Sequence, residues 1–198
     1  MIKTIVFDIG KVLVNFEYDA YVHRLLPDEE TVRHVNNAIW ETGCWNDLDL
    51  GVDKETVIAR MLEAEPAYRE EILQVISRVG ECISGTEYAI PWIQSLKSQG
   101  CQVLYLSNYA KSTMDANREA LNFLPYMDGG VFSSDLGLVK PDPRIYQALF
   151  DAYSLEPETC VFLDDMEANV RAAAALGMKT IRFENYGQAA AELSTWLV

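Results

Sequence analysis

Features of membrane-bound and secreted proteins are missing from this chain of 198 residues. No apolar run approaches the roughly 18 residues that cross a bilayer. The start MIKTIVFDIG has neither the apolar length nor the small-residue cleavage site of a secretory signal. The cysteines, at positions 44, 82, 101 and 160, form no CxxC pair, so we expect reduced thiols. These absences favour a cytoplasmic location without membrane contact.

Positive charge is also scarce, because 16 Lys and Arg residues against 30 Asp and Glu residues give a formal net charge of -14. Nucleic-acid backbones are bound by clustered Lys and Arg, and the sequence has no basic run. We therefore expect no nucleic-acid partner. A small anionic substrate is compatible with this charge, since a metal ion or a helix N-terminus can reverse the sign of one pocket. The oligomeric state has no signature in the sequence.

The composition, with 49% apolar and 23% charged residues, is typical of a chain that folds throughout. Short runs rich in β-branched residues predict strands buried on both faces, as parallel sheets require, at residues 2–7, 102–106, 160–163 and 179–183. Helical patterns alternate with these runs, as in TEYAIPWIQSLKSQG, PRIYQALFDAYSL and EANVRAAAALG. The alternation predicts an α/β fold with a Rossmann-like, doubly wound parallel sheet.

Residues 18–84 interrupt this alternation with helical patterns such as DEETVRHVNNAIWE and KETVIARMLEAE, and no strand-like run lies between them. They predict a small all-helical cap domain inserted after the first strand, with residues 1–17 and 85–198 forming the α/β core domain. Because the insertion leaves and rejoins the sheet near its first strand, we expect the cap to cover the C-terminal edge, where open α/β sheets bind ligands.

Polar residues gather at the predicted strand ends or in loops on that side: Asp8, the pair Ser107 and Asn108, Lys140, and the pair Asp164 and Asp165. Any one of the acids could cap a helix or a turn, and Lys140 could be a solvated surface residue. The carboxyl ends of parallel strands share one edge, however, so the whole set is expected to converge there.

Phosphoryl transfer is the chemistry that this set can perform. Asp8 can attack phosphorus to form an aspartyl-phosphate if a divalent cation screens the repulsion between carboxylate and phosphate. Mg²⁺ prefers hard oxygen ligands, which Asp8, the Gly10 backbone carbonyl, Asp164 and Asp165 can supply.

The remaining members of the set suit the phosphate itself. Ser107 and Asn108 are short donors for its non-bridging oxygens, and Lys140 can neutralise residual negative charge.

The segments FDIGKVLV, YLSN, LGLVKPDPRIY and VFLDDMEANVRAA resemble in order and spacing the motifs of the haloacid dehalogenase superfamily. The resemblance is strongest to bacterial sugar-phosphate phosphatases of the glucose-1-phosphate type and to the phosphatase domain of soluble epoxide hydrolases. It implies a Mg²⁺-dependent phosphatase of small phosphorylated metabolites. The implied roles are nucleophile for Asp8, phosphate binding for Ser107 and Asn108, stabilisation of the intermediate for Lys140, and direct metal ligation for Asp165 with Asp164 behind it.

One position departs from this resemblance, because most such phosphatases carry a general acid and base where this chain has Gly10. Glycine keeps the backbone carbonyl and suits a tight turn, but it cannot transfer a proton, a contribution worth roughly 10²- to 10⁴-fold. Without that proton the enzyme should favour a sugar-1-phosphate over a 6-phosphate, because the anomeric oxygen leaves more easily. A phosphate-binding protein without turnover and a metal-independent dehalogenase are the alternative interpretations.

Trp40 and Trp45 lie on either side of TGC in the cap, and the NDLDLG segment that follows is similar to the cap loop that faces the active site in such enzymes. Packing in the cap and contact with a sugar are both open for these tryptophans.

Overall fold

The computed structural model describes residues 1–197, with the backbone alone at residue 115, and it is built on a five-stranded parallel sheet in the order β5-β4-β1-β6-β7. The strands are β1 (Thr4–Phe7), β4 (Gln102–Ser107), β5 (Gly129–Phe132), β6 (Cys160–Asp164) and β7 (Lys179–Arg182). A separate antiparallel pair joins β2 (Val14–Phe16) to β3 (Ile83–Gly85). The predicted doubly wound sheet is confirmed, and its four predicted strands lie within two residues of their expected bounds.

Helices cover both faces of this sheet, as the apolar runs of the strands require. In β1, Ile5 and Phe7 belong to one apolar cluster and Val6 to the other, because successive side chains point to opposite faces. The first cluster holds α6 (Ala89–Ser98) and α10 (Tyr186–Ser194), and the second holds α8 (Pro143–Tyr153) and α9 (Glu167–Ala175). A short helix, α7 (Ser133–Leu136), follows β5. None of the helices in residues 1–197 is both long and apolar enough to cross a membrane.

The segment between β2 and β3 is helical and has its own apolar core. It contains α1 (Tyr18–Leu25), α2 (Glu29–Asn36), a π-helical turn (Asn37–Glu41), α3 (Cys44–Asp49), α4 (Lys54–Ala64) and α5 (Arg69–Ser77). The chain thus enters and leaves this cap through the paired β2 and β3 strands. Its division from the core at residues 18 and 84 stays a prediction.

The loop after α3 fastens the cap to the core at the C-terminal edge of the sheet. The Ser133 hydroxyl donates a hydrogen bond of 2.6 Å to the backbone carbonyl of Asp49. Gly51 has φ +81°, and a Cβ there would lie 2.6 Å from the Ser134 carbonyl oxygen, so this loop meets the backbone of α7 closely. This contact brings the end of α3 over the strand ends that carry the predicted polar set.

Candidate active site

Asp8 lies directly after β1 and is 8% exposed. Its Oδ1 accepts a hydrogen bond of 2.7 Å from the Ile9 amide and lies 2.8 Å from Lys140 Nζ. Burial and the neighbouring Asp164 raise the pKa of Asp8 to about 7, although Lys140 opposes the shift. The carboxyl therefore depends on positive charge to remain ionised.

Lys140 joins the two buried acids of the site. Its Nζ lies 2.8 Å from Asp8 Oδ1 and 2.7 Å from Asp164 Oδ2, and the side chain is almost fully enclosed. Burial disfavours the ammonium, but the charges of Asp8 and Asp164 outweigh it and raise the pKa of Lys140 above its usual value. The lysine is consequently a fixed cation at the floor of the site and not a solvated surface residue.

Ser107 ends β4 and Asn108 follows it, and the two side chains have different contacts. Ser107 is 1% exposed and lies against the Asp8 carboxyl, where its hydrogen bonding lowers the pKa of that acid. The Asn108 Oδ1 accepts from the Lys140 amide at 2.7 Å, and its Nδ2 donates to the Lys140 carbonyl at 3.0 Å. Asn108 thus holds the backbone of the lysine, and its contact with phosphate stays a prediction.

Asp164 and Asp165 end β6 with unequal surroundings. Asp164 is fully buried, and its oxygens accept from Lys140 Nζ at 2.7 Å, the Met166 amide at 2.8 Å and Asn169 Nδ2 at 3.0 Å. Asp165 is partly exposed, and no other described side chain hydrogen-bonds to its carboxyl. Burial and the charge of Asp164 raise the pKa of Asp165. Asp165 is therefore the acid whose carboxylate oxygens are available to bind a cation.

The three acids fit a hard divalent cation. One carboxylate oxygen each from Asp8, Asp164 and Asp165 can lie within 4.8 Å of one another, and Gly10 lines the same cavity. This donor set is all oxygen and holds no thiolate or imidazole, which suits Mg²⁺. The fit agrees with the predicted metal site, and the individual ligand assignments stay predictions.

A cavity of about 350 Å³ opens above these residues. Asp8, Ser107 and Lys140 form its polar floor, while the cap supplies apolar walls that include Trp40 and Trp45. The two indole rings lie 4.7 Å apart and pack against the cap core. The tryptophans therefore pack in the cap and also line the cavity, and their contact with a sugar stays a prediction.

The backbone conformation at position 10 does not require glycine. Its φ lies outside the left-handed region, and a Cβ at this position would have no atom within 4 Å. The strained residue of the turn is Lys11, with φ 58°. The space beside Gly10 could hold a larger side chain, so the glycine leaves room in the site.

Asp49 is the site residue that the sequence analysis missed. It ends α3, lines the cavity with Asp8, and has a pKa raised to about 7 by burial and by the charge of Asp8, against the effect of Lys140. The segment NDLDLG was expected to face the site, but it contains two acids. The structure separates them, because Asp47 pairs with Arg60 outside the cavity.

Comparison with known proteins places these motifs in a family. A profile described as haloacid dehalogenase-like hydrolase matches residues 2–177. Phosphatase MT3486 of Mycobacterium tuberculosis is 29% identical over 201 residues, which cover 94% of this chain and 89% of the relative. The mouse acyl-CoA dehydrogenase family member 10 is 34% identical over 53% of this chain, and the mouse bifunctional epoxide hydrolase 2 is 38% identical over 34% of it. The matched segments span only 10% and 12% of those two mouse proteins.

The fold has a close counterpart among solved structures. A haloacid dehalogenase family enzyme of Bacteroides thetaiotaomicron, bt-2542, solved with magnesium and inorganic phosphate, superposes with a TM-score of 0.74. The alignment covers 96% of this chain and 99% of that one at 18% identity. The likeness establishes a shared fold over nearly the whole of both chains.

Proposed function

This chain belongs to the haloacid dehalogenase-like hydrolase family, and on that premise we propose that it is a Mg²⁺-dependent phosphatase of small phosphorylated metabolites. The observation that carries the proposal is the cluster of Asp8, Asp164 and Asp165, whose oxygens can approach within 4.8 Å of one another. A dehalogenase needs an aspartate nucleophile but no metal ion, so it has no use for such a cluster.

The proposed reaction follows from the floor of the cavity. Asp8 attacks phosphorus and forms an aspartyl-phosphate, which water then hydrolyses. Asp8, Asp165 and the Gly10 carbonyl would hold Mg²⁺, which supplies positive charge that screens the nucleophile from the phosphate. Lys140 lowers the pKa of Asp8 and orients its carboxylate through their contact of 2.8 Å, and Asn108 fixes the backbone of that lysine through two hydrogen bonds.

The size of the cavity favours a small substrate. A volume of about 350 Å³ lies at the lower end of the range for metabolite sites, and the cap closes it from above. Sugar phosphates such as glucose-1-phosphate are the proposed class, since the faces of Trp40 and Trp45 suit the apolar face of a sugar ring. The apolar walls also admit aryl phosphates, which makes p-nitrophenyl phosphate a practical probe.

We expect the purified protein to release p-nitrophenol from p-nitrophenyl phosphate when Mg²⁺ is present, and to lose this activity when the metal is chelated. A screen of phosphorylated metabolites, scored by released inorganic phosphate, then identifies the substrate. Phosphate binding without turnover would favour the non-catalytic interpretation. Metal-independent release of halide from a short 2-haloacid would favour the dehalogenase.

The two acids of β6 should differ in their effect on metal binding. We expect Asp165→Ala to weaken Mg²⁺ binding more than Asp164→Ala does, because the oxygens of Asp164 are already occupied by Lys140, Met166 and Asn169. Calorimetric titration of Mg²⁺ into each folded variant without substrate measures this directly. Equal weakening, or a larger effect of Asp164→Ala, would reverse the assignment of the direct ligand.

A further inference from the structure

The proposed phosphatase requires a proton for the departing oxygen, and four titratable side chains line the cavity within the described residues: Asp8, Asp49, Tyr109 and Lys140. Asp8 is the proposed nucleophile. The Lys140 ammonium is held between two carboxylates, and these raise its pKa. The Tyr109 hydroxyl accepts a hydrogen bond of 2.6 Å from Asn117 Nδ2, and burial raises its pKa above its usual value of about 10, so it is a poor proton donor near neutral pH. Asp49 is the group left to transfer the proton.

We propose that Asp49, contributed by the cap, is the general acid and base of this site and takes the role that is missing at Gly10. The inference rests on the proposed function and adds a catalytic residue to it. Its basis is the position of Asp49, which lines the same cavity as Asp8 and Gly10, and the open space at Gly10, where a Cβ would meet no atom within 4 Å.

The placement of Asp49 is fixed through its backbone, which leaves its carboxyl free to react. Its carbonyl accepts from Ser133 at 2.6 Å, so the core holds the end of α3 in place. Within residues 1–197 no hydrogen bond or ion pair to the Asp49 carboxyl is found, whereas Asp47 on the same helix pairs with Arg60. Burial, the largest cause, raises the pKa of Asp49 to about 7, which makes both the acid and the base form available near neutral pH.

The proton transfers balance over the two steps. As an Asp8 oxygen bonds to phosphorus, the phosphorus bond to the leaving oxygen breaks, and that oxygen keeps the electron pair and takes the proton of Asp49. The products are the free alcohol, phosphorylated Asp8 and the Asp49 carboxylate. Water then attacks phosphorus and gives one proton to Asp49, the bond to Asp8 breaks, and its electron pair restores the Asp8 carboxylate. Inorganic phosphate leaves and Asp49 is again protonated.

The proposal predicts a dependence on the leaving group. Asp49→Asn should lower kcat/KM for glucose-6-phosphate by about 10²-fold or more, and for p-nitrophenyl phosphate by less than about 10-fold, because an acidic phenol needs little help from a proton donor. The preference for glucose-1-phosphate over the 6-phosphate, expected from Gly10 alone, should therefore be weak in the parent and strong in this variant. Asp47→Asn, the same change on the same helix but outside the cavity, should leave the ratio between substrates unchanged.

A second variant tests the role of Asp49 by recovery of activity and not only by its loss. Gly10→Asp, added to Asp49→Asn, should recover glucose-6-phosphate turnover, since the turn has room for a side chain at a permitted φ. An equal loss on both esters in Asp49→Asn without recovery would overturn the proposal, because a residue that only shapes the pocket acts on both esters alike. Parent-like turnover of Asp49→Asn would also overturn it and leave the phosphatase intact. A parent protein that hydrolyses no phosphate ester would instead overturn the proposed function.

Discussion

Asp8→Asn is expected to fold and to lose phosphatase turnover by about 10⁴-fold or more, because an amide cannot attack phosphorus and single replacements of a nucleophile commonly cost this much. Lys140 keeps its ion pair of 2.7 Å with Asp164 in this variant, so the floor of the site should persist. The measurement is kcat/KM for p-nitrophenyl phosphate at saturating Mg²⁺, with folding checked by circular dichroism. A well-folded variant that turns over at the parent rate would remove Asp8 from the role of nucleophile.

The same substitution should change how stability depends on pH in metal-free protein. The pKa of Asp8 is raised from 3.8 to about 7 by burial, so the folded state holds a proton that the unfolded state releases. The stability tied to this proton is complete below about pH 4 and is lost as pH rises through about 7. Asp8→Asn removes this loss, so the stability of the variant relative to the parent should increase between about pH 5 and pH 8.

Urea unfolding at both pH values in the presence of a chelator measures this difference. Asp19→Asn, at an exposed acid in α1, is the matched control and should show no such trend. A constant difference between Asp8→Asn and the parent would show that Asp8 ionises normally in the folded protein.

Much of the site could be predicted from the sequence because its residues follow strands that are recognisable as short apolar runs. The apolar runs that end at Phe7 and at Leu163 are buried on both faces, and a polar residue after such a run lies at the C-terminal edge of the sheet. The edge strand β5 was missed because its first two residues are glycines with positive φ, which indicate a turn. Gly130 lies against Tyr105, a contact between strands that no local pattern encodes.

The residues that escaped prediction depend on contacts between distant segments. Asp47 and Asp49 have the same side chain in the same helix, and the docking of the cap on Ser133 decides which acid enters the cavity. The two hydrogen bonds of the Asn108 amide to the backbone of Lys140, 32 residues away, are likewise not visible in the sequence, and its contact with phosphate stays a prediction. Sequence patterns report burial and chain direction, while these assignments require the three-dimensional position of a loop.

Lys140→Met is expected to destabilise the protein by about 3–5 kcal/mol near pH 8, because it leaves two buried carboxylates without their partner. Methionine fills a similar volume, so the loss reports charge and not a cavity. Turnover should fall as well, since Asp8 would be protonated near neutral pH and could not act as a nucleophile. Lys111→Met is the matched control, because Lys111 pairs with Asp135 at the surface and such pairs are worth about 1 kcal/mol or less.

The destabilisation by Lys140→Met should depend on pH in a defined direction. Without the ammonium the pKa of Asp8 rises further, so the folded variant takes up a proton that the unfolded chain does not hold. Its stability is therefore retained below about pH 4 and lost as pH rises, and the deficit relative to the parent should be smaller near pH 5 than near pH 8.

Adding Asp8→Asn to Lys140→Met removes one unpaired charge and should recover part of the loss at the higher pH. Urea unfolding of the single and double variants at both pH values measures this recovery. An equal deficit at the two pH values, with no recovery in the double variant, would mean that the Lys140 ammonium stabilises the fold through its cation–π contact with Phe162 and not by neutralising the acids of the site.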